Sequence, residues 1–363
     1  MQKIGLPQKT NQPDFILMGI LASLILIGIL VLATASVPYS LRIAGNPNYF
    51  LFKQLISGLI GLIAGFIAYK LSLEKVKKIT IFFFFVAMAL MFSVFLPIWG
   101  HEAKGATRWI SLGFTSFQPS ELLKITAILY LANLVSKLKK KSLLPFIAVI
   151  GAITAVLLLQ KDLSTLIIIF ATGGIIYFCA QTPLKHIFLI GLAGIVCVTF
   201  FILMEPYRMQ RIENIFSPNK DVLGAGYHPQ QALISIGSGE ITGSGLGLSV
   251  QKFGFLPESI TDSIFAIYAE ETGFIGCVLL VSLFLLFAQR TFLIVKKIED
   301  PSNKLIACGI GSWITLQAFI NIGSMTGILP VSGIPLPFIS SGGSHLIVEL
   351  TAMGILLNIS KNV

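Results

Sequence analysis

Ile16-Leu-Met-Gly-Ile-Leu-Ala-Ser-Leu-Ile-Leu-Ile-Gly-Ile-Leu-Val-Leu-Ala-Thr-Ala35 is an unbroken apolar run without one charged side chain. A helix needs about 20 such residues to cross the hydrocarbon of a bilayer, and this stretch supplies them. It is too long, and too poorly followed by small residues, to read as a cleaved signal peptide. Nine more apolar runs follow: Phe50–Leu71, Ile79–Leu96, Leu122–Val135, Leu143–Leu159, Leu163–Phe178, Ile187–Met204, Ile264–Ala288, Leu305–Ile322 and Leu346–Ile359. The runs beginning at Leu122 and Leu346 are short and draw on their polar flanks to complete a helix. Hydrophobic residues make up 55 % of the chain and charged residues 12 %, too few charges to cover a soluble surface. The expected fold is all-α, a polytopic membrane bundle of ten transmembrane helices forming one domain over residues 1–363.

The formal net charge is +10, and it is unevenly spread. Lys75, Lys77 and Lys78, then Lys137, Lys139, Lys140 and Lys141, then Arg290, Lys296, Lys297 and Lys304 crowd short loops. Lys3, Lys9 and Lys361 fall on the same side of a ten-span arrangement. The positive-inside rule makes that side, and both termini, cytoplasmic. The basicity is topological, and nucleic-acid binding is not implied. Glu102, Glu121, Asp162, Glu205, Glu213, Asp221, Glu240, Glu258 and Asp262 lie on the opposite side or in its membrane edge. ATP and nucleotide sugars are absent there, so an enzyme on that face needs a substrate that carries its own leaving group. Cys179, Cys197, Cys277 and Cys308 show no Cys-x-x-Cys spacing and read as packing residues; the scattered histidines form no metal constellation.

Three outward segments exceed what a connection needs. Trp99–Ser120 is polar. Residues 205–262 form a large extracytoplasmic loop between the seventh and eighth spans, long enough to argue for function. Residues 323–344 contain Pro330-Val-Ser-Gly-Ile-Pro-Leu-Pro-Phe-Ile-Ser-Ser-Gly-Gly-Ser344, too apolar for a solvated linker and too rich in proline for a helix. Irregular backbone at membrane depth survives only where protein or a water-filled cavity satisfies it, so this segment is expected to re-enter and line a cavity.

Asp262, in Leu256-Pro-Glu-Ser-Ile-Thr-Asp262, stands where the long loop runs back into an apolar span. Thr261 or Asp262 can cap that helix, and a carboxylate at membrane depth is also a candidate base. Glu121 and Lys124 are three apart on one helical face, either a local ion pair or a cationic site for a phosphate. Arg208 and Arg211 suit either headgroup contact or a forked grip on a diphosphate. Gly237-Ser-Gly-Glu-Ile-Thr-Gly-Ser-Gly-Leu-Gly247 lacks the Lys-Ser/Thr ending of a phosphate loop and reads as a flexible or tightly turning loop. Glu270, Glu271 and Glu349 are embedded acids, suited to a proton relay or to pairing within the bundle.

Together these motifs resemble the SEDS family (shape, elongation, division and sporulation) over nearly the whole chain. The resemblance rests on Arg108-Trp-Ile-Ser-Leu-Gly, Gln118-Pro-Ser-Glu-Leu-Leu-Lys124, Asp162 in Gln-Lys-Asp-Leu-Ser-Thr, and Tyr207-Arg with Arg211. It continues through Gln231-Ala-Leu-Ile-Ser-Ile-Gly-Ser-Gly239, the Asp262 motif, Glu270-Glu-Thr-Gly273 and the Pro330–Ser344 segment. Gly245-Leu-Gly-Leu-Ser-Val-Gln-Lys252 is more similar to the division and sporulation branch, FtsW and SpoVE, than to the rod-shape branch, RodA. Departures are Ile260 for a usual His, Ser263 for Phe, His228 for Gln, Lys161 for Pro and Ser341 for Tyr.

The resemblance implies a peptidoglycan glycosyltransferase that polymerises lipid II at the outer face of the cytoplasmic membrane. It implies Asp262 as the catalytic base, and Lys124, Glu121, Arg208, Arg211, Arg108, Gln231, Ser340 and Ser344 as substrate-binding residues. No organic cofactor is implied; a divalent cation could share the diphosphate charge, though no ligand cluster announces one. The implied partners are a class B penicillin-binding protein, other division proteins and membrane lipid. The resemblance points to cell division, with an elongation (RodA-like) polymerase or a lipid II transporter leaning on Glu270, Glu271 and Glu349 as the competing functions, and a scaffold for division proteins as a further one.

Overall fold

The computed structural model describes residues 12–96, 100–103, 106–111, 116–138, 142–204, 208–211, 213, 224 and 226–361, without the side chains of 100–107. The expected features at Lys3, Lys9, Trp99, Lys139–Lys141, Glu205, Tyr207 and Asp221 lie outside the described residues, as does the side chain of Glu102. Each of the ten apolar runs falls on a helix. The helices are α1 (Phe15–Ala35), α3 (Tyr49–Lys70), α4 (Leu73–Ser93), α5 (Pro119–Lys137), α6 (Leu144–Leu159), α7 (Leu163–Cys179), α8 (Leu184–Met204), α10 (Ile264–Lys297), α11 (Pro301–Met325) and α12 (Gly343–Ser360). By length and composition 7 of them can cross a membrane, namely α1, α3, α4, α8, α10, α11 and α12. Helices α6 and α7 are shorter apolar helices, and α5 carries Glu121 and Lys124.

Two helices and a small sheet were not expected. A short amphipathic helix, α2 (Val37–Ala44), follows α1 and ends on Gly45 in the left-handed conformation. Strands β1 (Gly100–Ala103), β2 (Ala106–Ser111) and β3 (Ser116–Phe117) form an antiparallel sheet, pairing Ala103 with Ala106 and Ile110 with Phe117. The bundle is thus helical with a small sheet outside it, where the Thr-Arg-Trp-Ile alternation favours a pleat. The large outward loop contains a helix of its own, α9 (Tyr227–Ser238).

Lipid tails are as apolar as leucine, so close backbone approach, not hydrophobic exclusion, has to hold the spans together. Helices α3 and α12 show this. A Cβ on Gly65 would stand 2.6 Å from the Leu350 carbonyl oxygen, and one on Gly354 would stand 2.0 Å from that of Gly65.

The basic end is closed by charge. Asp14 caps α1 through the Leu17 N–H (2.9 Å) and pairs with Arg290 (2.7 Å), while Lys77 reaches Asp300 at 2.9 Å. Burial pushes the Asp14 carboxyl up, but Arg290 and the Leu17 N–H outweigh it and hold it below its ordinary value. Asp300 is lowered in the same way, burial being outweighed by Lys77 and the Asn303 N–H.

Helix α10 is 34 residues long and broken at Gly273, whose φ of 64° and ψ of −164° are closed to other residues. The backbone groups freed by the break are taken up by the Gly-rich loop. Ser244 and Gly245 N–H donate to the carbonyls of Glu270 (2.9 Å) and Glu271 (3.1 Å), and Phe274 N–H donates to the Glu240 carbonyl (2.9 Å). That loop is therefore the patch on a helix break, consistent with the tight-turn reading. A Cβ on Gly273 would meet the Gly243 nitrogen at 2.3 Å and the Ile241 oxygen at 2.6 Å. Gly273→Ala is expected to cost at least about 1–3 kcal/mol and lower the melting temperature in detergent. Melting at the parent temperature would show that the break is dispensable.

Candidate active site

Asp262 ends a tight turn, residues 257–263, that leads into α10. The expected capping role is not observed. The residue at the N-cap is Ser263, which makes no side-chain capping bond, and Thr261 donates instead to the Glu258 carboxylate at 2.8 Å. Among the described residues Asp14, Asp162 and Asp300 are carboxylates that do cap helices. Asp262 is half-buried, and its Oδ2 would lie 3.5 Å from a Cβ built on Gly333.

The turn is held by the Pro- and Ser-rich segment, which has no regular structure between α11 and α12. Asn321 Nδ2 donates to both the Asp262 and Ile334 carbonyls at 2.7 Å. Ser340 Oγ donates to the Thr261 carbonyl (2.6 Å) and accepts from Leu336 N–H (2.8 Å); Ser341 N–H donates to the Ile260 carbonyl (2.8 Å). Gln54 Nε2 donates to the Ser340 carbonyl (3.1 Å), and Gln54 Oε1 accepts from Gly342 N–H (3.0 Å). Phe338 N–H donates to Glu349 (2.9 Å), and Gln317 Nε2 donates to the Pro335 carbonyl (3.1 Å). Irregular backbone can stay buried because protein groups satisfy it. Phe338 (φ 64°) and Glu258 (φ 52°) are held in the left-handed region, a strain that persists where surroundings fix it.

Beneath the turn, Lys124 is 1 % and Glu121 3 % exposed, and they form an ion pair at 2.8 Å without hydrogen-bond alignment. Lys124 Nζ donates to Gln317 Oε1 (3.0 Å), whose amide donates to Glu349 (3.0 Å). The Ser344 hydroxyl accepts from Gln118 N–H at 3.3 Å, fixing the start of α5. Arg108 donates to the carbonyls of Gln160 (3.3 Å) and Lys161. Arg208 donates to those of Phe201 (3.0 Å) and Lys161 (3.3 Å), and Arg211 to that of Val331 (2.5 Å). Gln231 is half-buried on α9, and its side chain makes no hydrogen bond among the described residues. Asp262, Ser340 and Arg211 thus converge on the 331–340 stretch, while Lys124 and Glu121 lie in a polar core under it.

Two departures from the family pattern touch each other. His228 Nε2 lies 2.6 Å from Ser263 Oγ, and with that hydroxyl donating to the Pro257 carbonyl at 2.9 Å the arrangement suits the imidazole as donor. His228→Ala is expected to loosen the turn and lower turnover about 10- to 100-fold, with KM little changed. His228→Gln, which keeps a donor, restores it; steady-state kinetics of both variants check this, and an unchanged kcat in the alanine variant would contradict the brace.

Sequence reasoning missed the residues opposite the turn. A cavity of about 460 Å³ is lined by Pro257–Thr261, Ser341–Gly343, Trp109 and the cations Arg42 and Lys53. Among the described residues no cluster of His, Cys, Asp and Glu could hold a metal ion.

A multi-pass helical membrane protein with a carboxylate on a buttressed turn at one membrane edge is the class these features define. The chain belongs to the FtsW, RodA and SpoVE family of cell cycle proteins, whose profile matches residues 15–363. It is 35 % identical to a probable peptidoglycan glycosyltransferase FtsW of Geobacter sp. (strain M18), over 96 % of each chain. It is 34 % identical to stage V sporulation protein E of Bacillus subtilis (strain 168), over 97 % of this chain and 98 % of that one. A chain from a solved peptidoglycan synthase complex, described as coordinating polymerization and crosslinking, superposes with a TM-score of 0.79 at 26 % identity, covering 96 % of this chain and 97 % of that one.

Proposed function

We propose that this protein is a peptidoglycan glycosyltransferase that polymerises lipid II on the outer face of the cytoplasmic membrane, in the service of cell division. The observation that carries it is the Asp262 turn, held by Asn321, Ser340 and Ser341 at the end opposite the Asp14–Arg290 and Lys77–Asp300 pairs. Those pairs and the lysines around them support cytoplasmic termini. Lipid II carries its own diphosphate leaving group, so no nucleotide is required.

In this reading Asp262 takes the proton from the acceptor sugar hydroxyl as that oxygen attacks the anomeric carbon of the donor. One displacement inverts that carbon and releases polyprenyl diphosphate. Ser340 positions Asp262 through the Thr261 carbonyl, and Arg211 fixes Val331 beside Gly333. Lys124, Arg208 and Arg108 have donors committed to protein acceptors, which supports positioning roles over direct contact with the diphosphate. Ser344 and Glu121 hold α5, and Gln231 is open for a polar contact with substrate. A divalent cation, if used, would be brought by the diphosphate. The synthase-complex likeness and the FtsW relatives support a class B penicillin-binding protein partner and other division proteins.

Two of the three acids that a transporter would lean on, Glu270 and Glu271, are engaged by the outer loop and α1. Glu270 is bound by Ser235 (3.0 Å), Ser249 (2.6 Å) and Val250 N–H (2.7 Å), and Glu271 by Lys252 (3.0 Å) and Thr34 (3.0 Å). These acids pin the outer loop to α10. The test is glycan polymer formed from lipid II by purified protein in detergent, with and without its transpeptidase. Detergent leaves no sides to cross, so polymer there supports the enzyme and its absence under both conditions refutes it.

A further inference from the structure

The diphosphate needs a cationic seat, and the arginines and lysine that sequence reasoning offered are bonded elsewhere. The cavity beside the turn offers two others. Arg42, on α2, is exposed and stands 5.4 Å from the Tyr39 ring centre; Lys53, on α3, is half-buried. Among the described residues neither makes an ion pair. Both line the cavity of about 460 Å³ whose wall is Pro257–Thr261. A third cation there, Lys252, is already neutralised by Glu271 at 3.0 Å. The Glu258 carboxylate also lines the cavity and is engaged by Thr261 (2.8 Å), so two cations against one acid leave it net positive.

We propose that Arg42 and Lys53 form the seat for the diphosphate of the polyprenyl-linked donor, on the opposite side of the turn from the Asp262 carboxylate. This assignment rests on the glycosyltransferase reading above. Asp262 is not among the residues lining the cavity, and its carboxylate lies against Gly333 instead. An inverting displacement wants that separation. The base acts on the incoming oxygen, the leaving group departs from the far side of the anomeric carbon, and a base paired directly with the cations would be neutralised. Arg42 supplies forked donors for two phosphate oxygens and Lys53 a mobile point charge. The exposed face of α3 at Phe52, Ile56 and Leu59 begins beside Lys53, so a lipid tail can stay in the membrane while its headgroup enters. A free diphosphate ion gains nothing from that face.

The experiment measures binding of a polyprenyl diphosphate to purified full-length protein, and polymer formation from lipid II in parallel. Arg42→Gln and Lys53→Gln are each expected to weaken binding about tenfold or more, as loss of a charge-assisted hydrogen bond does, and to raise KM for lipid II. Arg42→Lys and Lys53→Arg retain most of it, and an unchanged melting temperature separates lost charge from lost fold. Asp262→Asn should bind polyprenyl diphosphate as the parent does while making no polymer. Parent-like binding in both glutamine variants overturns the seat but leaves the glycosyltransferase reading intact. Charge-dependent binding in a protein that never polymerises lipid II would sink that reading and spare the seat. Inorganic pyrophosphate is included as a competitor; equal affinity for it would overturn the lipid-linked assignment.

Discussion

Asp262→Asn should leave a folded protein that makes no glycan polymer. The substitution is isosteric, and the contacts that hold the turn go to backbone: Asn321 reaches the Asp262 carbonyl at 2.7 Å and Ser340 the Thr261 carbonyl at 2.6 Å. Neither bond depends on the carboxylate, so the turn keeps these two anchors, and melting in detergent checks that the fold is retained. Ser263, and not Asp262, occupies the N-cap of α10, so no capping energy is lost either. What disappears is the proton acceptor, and general-base catalysis contributes about 10²- to 10⁴-fold. Gel analysis of lipid II products, with the cognate transpeptidase present, reads this out. Polymer at the parent rate would eliminate Asp262 as the base and turn attention to Glu258, the carboxylate that lines the neighbouring cavity.

The membrane-spanning part of this architecture was legible because the bilayer prescribes a length and a polarity. Ile16–Ala35 can do little except span, and the ten runs all fall on helices. The outward parts were harder to read for physical reasons. Strands of 4, 6 and 2 residues at Gly100–Phe117 are too short to show a period, and they exist because they pair with one another. Helix α9 was hidden in a polar loop because its burial comes from α10 and not from its own sequence; Ser235, for example, is fully buried against Glu270.

In the site, the sequence names residue types, but their partners come from the fold. Asp262 looked like a cap because of where it stands in the chain, but the turn at 257–263 shifts the helix start past it. Arg208 and Arg211 can bind anions by their spacing, but two of the backbone carbonyls they meet, Lys161 and Val331, come from segments remote in sequence. Arg42 and Lys53 drew no notice, since one lies in a short helix after the first span and the other inside an apolar run. Only the fold brings them to the Asp262 turn.

The other large effect is expected at the buried pair under that turn. Lys124 and Glu121 are 1 % and 3 % exposed, and the lysine also donates to Gln317, which passes the contact to Glu349. Removing one partner of such a pair strands the other charge out of water, at a cost of about 3–5 kcal/mol, whereas replacing both with apolar groups is often close to neutral. Lys124→Met and Glu121→Leu should therefore each lose folded protein, and the double variant should recover most of it. The recovered variant then distinguishes two roles that the single variants confuse. If the pair only holds α5 against α11, polymerisation returns with the fold. If Lys124 acts on substrate charge, the double variant stays folded and inactive, and Arg42 and Lys53 cannot be the whole of the cationic site. Melting temperature and polymer yield, measured on all three proteins, decide between them. A single variant as stable as the parent would show that the pair carries no charge in the folded protein.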